Sequence, residues 1–139
     1  PEQARRKLSA IAADWGVTLL EAAKRLQPAG AVYHNMHEDD VRRVLSNRLT
    51  MVGSDGLPND AHPHPRLWGS FTRVLGRYVR EAELLTLEAA VAKMTALPAR
   101  VFGLADRGRL AVGAWADVVV FDADTVRDRA TWDAPTLAS

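Results

Sequence analysis

Asp55 and Arg66 stand eleven residues apart around a loop rich in carboxylates and imidazoles, Gly53-Ser54-Asp55-Gly56-Leu57-Pro58-Asn59-Asp60-Ala61-His62-Pro63-His64-Pro65. A carboxylate can carry a proton to and from a reacting group, and a guanidinium offers a planar fork that grips another carboxylate bidentately. Asp55 comes directly after the apolar run Leu49-Thr50-Met51-Val52 and its Gly-Ser turn. Prolines at 58, 63 and 65 restrict the loop, so Arg66 can reach the pocket that Asp55 faces. The same residues allow plainer readings, with Asp55 accepting a backbone N–H in a Ser-Asp-Gly turn and Arg66 paired with Asp60 at the surface. His62 and His64, two apart on an extended segment, have the spacing of a metal donor pair. His34 and His37 are followed only by Glu38, Asp39 and Asp40, acids that suit the first turn of a helix, with His37 as its N-cap.

The elements that must position these groups can be read from periodicity. Leu8, Ile11, Ala12 and Trp15 recur at helical spacing up to Gly16, and Thr18-Leu19-Leu20-Glu21 is a capping box opening a second helix to Leu26. Pro28 and Gly30 break the pattern before Ala31-Val32-Tyr33, which reads as a strand; Glu38 to Ser46 reads as a helix with Val41, Val44 and Leu45 on one face. Leu49 to Gly53 has the character of a strand buried on both faces, and Phe71, Val74, Leu75, Tyr78 and Val79 mark the helix after the loop. Arg73, Arg77 and Arg80 lie on the opposite face, where solvation is expected. Leu87 to Phe102 predicts a helix bent or split near Leu97 by Pro98. Arg109 to Val112 and Ala116 to Phe121 predict two antiparallel strands, and residues from Arg127 onward an irregular tail. Strands alternating with helices favour an α/β fold with a parallel sheet or barrel.

Composition narrows the function. The 139 residues are 47% hydrophobic and 25% charged, suited to an ordered core. Eighteen basic and 17 acidic residues, net +1, make no single-sign field for nucleic acid or an anionic membrane. Zero cysteines exclude a disulfide framework and a thiolate metal site made by these residues. No apolar stretch has membrane-spanning length, nor does an export signal open the sequence, so a cytoplasmic setting is the default expectation.

The loop, together with Met36-His37-Glu38-Asp39-Asp40-Val41, Lys93-Met94-Thr95-Ala96-Leu97-Pro98-Ala99-Arg100 and Ala116-Asp117-Val118-Val119-Val120-Phe121-Asp122, resembles the zinc-dependent N-acyl-D-amino-acid deacylases, or D-aminoacylases, of the amidohydrolase superfamily. These blocks occur in the family's order along nearly the whole sequence, which resembles the C-terminal third of such an enzyme. The resemblance implies a (β/α)8 barrel. Residues 1–30 would belong to an insertion near the active-site mouth, 31–103 to the last barrel units and 104–139 to a small β domain. Ala31 to Asn35 would be the seventh strand and Leu49 to Ser54 the eighth. It implies that Asp55 is the acid/base, that Arg66 clamps the substrate's α-carboxylate, and that Met36 lies near the substrate side chain. The family's zinc ligands lie upstream of these residues, so the resemblance implies no metal held by this chain alone and no activity from it. The family's His-x-His belongs to the first barrel strand, which leaves His62 and His64 as loop braces; Asp117 is expected to bond nearby backbone N–H groups.

Two other functions fit the residues less well. One is a non-catalytic module that self-associates through strand edges. The other is a ring-opening amidohydrolase of dihydropyrimidinase or dihydroorotase type, against which the Gly-Leu-Pro-Asn-Asp block and Arg66 count.

Overall fold

The first helix, α1 (Leu8–Trp15), stops where Gly16 turns left-handed at φ 61°, its N–H bonded to the carbonyls of Ala12 and Ala13. A residue with a Cβ would be strained in that conformation. Thr18 then accepts the N–H of Glu21 at 3.2 Å and opens α2 (Leu19–Leu26). Ile11, Ala12 and Ala22 are buried in this computed structural model, which describes residues 2–60 and 62–139. Pro1 and Ala61, in the expected insertion and in the loop, lie outside the described residues. The chain divides into two compact units, the first ending at Asn35 and the second spanning Met36–Ser139.

In the second unit His37 caps α3 (Glu38–Ser46), its Nδ1 accepting the N–H of Asp39 at 3.3 Å. Helix α4 (Arg66–Arg73) runs without a break into a π-helical segment, Val74–Glu81, closed by the N–H of Ala82 on the carbonyl of Arg77 at 2.8 Å. Gly76 lets the backbone of Val126 lie against this segment, because a Cβ there would lie 2.9 Å from the carbonyl oxygen of Val126. Thr86 caps α5 (Leu87–Met94), and α6 (Ala96–Val101) follows after Thr95, whose φ of −132° and ψ of −82° are non-helical. The break is placed by Pro98, which cannot donate to the carbonyl of Met94 and whose ring crowds it. Val74, Leu75 and Ala90 form the core, with Val52, Val79, Leu85, Leu87, Val91, Met94 and Val126 packed around them.

The expected strands are not found: the described residues contain only helices, turns and irregular segments. Ala31 to Asn35, Leu49 to Ser54, Arg109 to Val112 and Ala116 to Phe121 carry strand-like patterns without a ladder. A strand is a property of a pair, and a lone two-stranded ribbon is only marginally stable in water. Val112, Val119 and Val120 are accordingly more than four-fifths exposed. On the arginine face Arg73 and Arg77 are exposed, as expected, and the side chains also make bonds. Arg73 pairs with Asp128 at 2.9 Å, Arg77 approaches Glu38 at 3.8 Å, and Arg80 donates to the carbonyls of Ala123 and Val126. Burial disfavours the charge on Arg73, but the bond and charge of Asp128, with help from Tyr78, outweigh it and raise its pKa. The tail from Arg127 is irregular yet tethered.

Candidate active site

The turn at Asp55 is shaped by close backbone approach. Asp55 itself takes a positive φ of 51°, a conformation that Asp tolerates better than most residues. The next residue must be glycine, since a Cβ on Gly56 would sit 2.8 Å from Cα and 2.4 Å from Cδ1 of Leu67. That contact lays the start of the loop on the first turn of α4 and brings Asp55 to Arg66, with Oδ2 and Nη2 3.0 Å apart. The carboxylate is 82% exposed and the guanidinium 40%, so both remain open to a ligand from solvent. Arg66 Nε is buried and finds no acceptor among the described residues. A buried donor without a partner is costly, and a bound anion would satisfy it.

The rest of the loop is braced by its histidines. His62 donates Nε2–H to the carbonyl of Trp132 at 2.8 Å, and its backbone N–H reaches Asp60 Oδ1 at 3.3 Å. The His64 ring meets the Trp132 indole edge-on, with centroids 4.6 Å apart, while its Nδ1 accepts the N–H of Arg66 at 3.0 Å. His64 therefore sets the start of the helix that carries Arg66. The surface pair foreseen between Arg66 and Asp60 does not form; Asp60 serves the loop backbone instead. Met36, 68% exposed, takes no part in the ion pair. Asp117 is also corrected: it pairs with the Arg107 side chain, which in turn lies over the Trp115 ring at 5.2 Å. Asp122, by contrast, accepts the Asp124 N–H and the Thr125 hydroxyl, both at 2.9 Å.

Pro58, Asp60, Pro63, Leu67, Trp68 and Thr136 line a groove of about 430 Å³ beside the loop. Sequence reasoning missed Trp132, whose one signal is that it is the lone aromatic residue of the tail from Arg127 onward. The described residues contain no group of three or more His, Asp or Glu side chains placed to hold a metal. The imidazoles of His62 and His64 are engaged by Trp132 and the backbone of the loop. No helix among the described residues is long and apolar enough to cross a membrane.

Over residues 1–139 the sequence matches the model of the Amidohydrolase family. The chain belongs to that family. This amidohydrolase chain is 79% identical over 139 residues to an N-acyl-D-glutamate deacylase of Alcaligenes xylosoxydans xylosoxydans. It is 54% identical over 136 residues to a D-aminoacylase of the same organism. It spans 28% of the length of each of these relatives. Its backbone superposes with a TM-score of 0.92, at 70% identity, on the crystal structure of an N-acyl-D-glutamate deacylase from Bordetella bronchiseptica. That enzyme was solved with zinc and a phosphonate mimic of the tetrahedral intermediate; the match covers 99% of this chain and 29% of the enzyme.

Proposed function

We propose that the whole protein hydrolyses N-acyl-D-amino acids, with N-acyl-D-glutamate as its preferred substrate, and that this chain contributes the acid/base and the carboxylate clamp. The observation that carries the reading is the Asp55–Arg66 pair at 3.0 Å beside a buried Nε with no acceptor among the described residues. The preference for glutamate is supported by 79% identity to a deacylase of that substrate, against 54% to the D-aminoacylase.

In this reading Arg66 releases Asp55 when substrate enters and grips the α-carboxylate instead, with Nε available as a further donor. Asp55 then takes a proton from the attacking water as the C–O bond forms. It returns the proton to the amide nitrogen as the C–N bond breaks, leaving a carboxylate and a free D-amino acid. Met36 is proposed to lie near the substrate side chain. The zinc site is proposed to be built by the part of the protein outside this chain, so the chain alone should be inactive.

The strand-like segments belong to the same proposal. Ala31 to Asn35 and Leu49 to Ser54 would be the seventh and eighth strands of a (β/α)8 barrel, and residues 104–139 strands of a small β domain, their ladders completed by the remainder of the protein. A TM-score of 0.92 over 99% of this chain, matched to 29% of a deacylase, supports that arrangement. Left alone, such edges favour self-association, which sedimentation of the isolated chain over a concentration range would detect.

The test is a substrate panel on the whole protein: N-acetyl-D-glutamate, N-acetyl-D-aspartate, N-acetyl-D-leucine, N-acetyl-L-glutamate and a cyclic amide. The highest kcat/KM is expected for N-acetyl-D-glutamate. Equal rates on D and L isomers, or turnover of the cyclic amide alone, would overturn the assignment.

A further inference from the structure

Lys93, on α5, is buried, only 6% exposed. Its Nζ donates to the carbonyl of Asn47, to the carbonyl of Thr50 at 3.1 Å and to the hydroxyl of Thr50 at 3.3 Å. Its own carbonyl accepts the N–H of Val52 at 3.2 Å. One residue thus holds the chain at Asn47, Thr50 and Val52, and Asp55 follows three residues later. Burial depresses the Lys93 pKa, because the charged ammonium is removed from water without a carboxylate beside it. A neutral apolar side chain would avoid that cost, so packing alone does not account for an amine here.

We propose that Lys93 is a positioning residue that fixes the segment 47–52 and thereby holds Asp55 in the geometry proton transfer requires. The catalytic consequence rests on the deacylase reading above, while the placement of the segment does not. Thr50 completes the clamp: besides accepting from Lys93, its hydroxyl lies 2.8 Å from the carbonyl of Val44 and 2.9 Å from that of Asn47. Without the amine the Asn47 carbonyl and both Thr50 oxygens lose their common donor. Asp55, 82% exposed and at positive φ, has little packing of its own to hold it.

The experiment compares wild type with Lys93→Met, Lys93→Ala and Thr50→Val in the whole, metal-loaded protein, normalised to folded enzyme. Lys93→Met should lower kcat by about 10- to 100-fold with KM within about 3-fold, as expected when a reacting group is misplaced but binding survives. Thr50→Val should give a smaller loss in the same direction. Ethylammonium should restore part of the activity of Lys93→Ala, which a purely structural defect would not allow. Amide hydrogen exchange across residues 50–56 should quicken in Lys93→Met, and in Thr50→Val if Lys93→Met does not fold. Unchanged exchange in that segment overturns the inference, and so does unchanged kcat in a variant of an active wild type. A wild type without deacylase activity defeats the functional reading alone, and the exchange data then decide whether Lys93 sets the segment.

Discussion

The loop from Gly53 to Pro65 and the segment from Arg109 to Phe121 contrast in what holds them. The loop is polar and proline-rich, yet Gly56 packs on Leu67, and His62 and His64 both engage Trp132. The later segment has the apolar alternation of a sheet, yet Leu110 and Val120 are 85% and 92% exposed. Hydrogen bonds and ion pairs are satisfied pair by pair, so a few correctly placed groups suffice to order a loop. Apolar alternation orders nothing until a second surface covers it, because its driving force is the area removed from water.

If the loop is ordered for chemistry, its carboxylate should be the most sensitive atom group in the protein. Asp55→Asn in the whole protein should reduce kcat by about 10³-fold with KM little changed, within the usual range for a lost acid/base group. Steady-state kinetics that retain wild-type kcat would remove Asp55 from the mechanism. Arg66→Ala should lower kcat/KM for the free acid by about 10²-fold, and much less for the α-carboxamide, which carries no charge to clamp. An equal penalty on both substrates would assign Arg66 to the loop's structure.

The exposed segment can be probed by charge. Val119 is 82% exposed. Val119→Lys should destabilise the whole protein by about 2 kcal/mol in denaturant unfolding if the rest of the protein covers this residue. An unchanged midpoint would mean that the segment faces solvent and that the contrast with the loop is weaker than drawn. The smallest effect belongs to Asp122, whose pKa is lowered first by the Asp124 N–H and then by the Thr125 hydroxyl. A folded pKa below the unfolded one contributes stability above the unfolded value, and that contribution is lost as pH falls through the folded value. Thermal unfolding of wild type and Asp122→Asn should therefore change its difference only below about pH 4. A difference that varies at neutral pH would point to another group.

Much of the local structure was legible in the residues. Gly16 stopped α1, Thr18 capped α2, His37 capped α3, and Pro98 split the long helix at Thr95. That Arg66 can reach the neighbourhood of Asp55 was legible from the stiff loop between them, but their ion pair was not. The strands were legible as patterns only, since a pattern names the face to be buried and leaves its partner unstated.

The sequence by itself determined what neighbours within a few residues can settle: caps, stops, the helix break and the short loop that joins carboxylate to guanidinium. Only the tertiary structure decided that His62 reaches Trp132, 70 residues away, that Lys93 lies buried against a turn 46 residues upstream, and that Arg73 pairs with Asp128 and Arg80 with the carbonyl of Val126. Local bonds depend on the few dihedrals between partners, whereas these depend on which distant segments the core brings together. Residue types at one position carry no record of that choice.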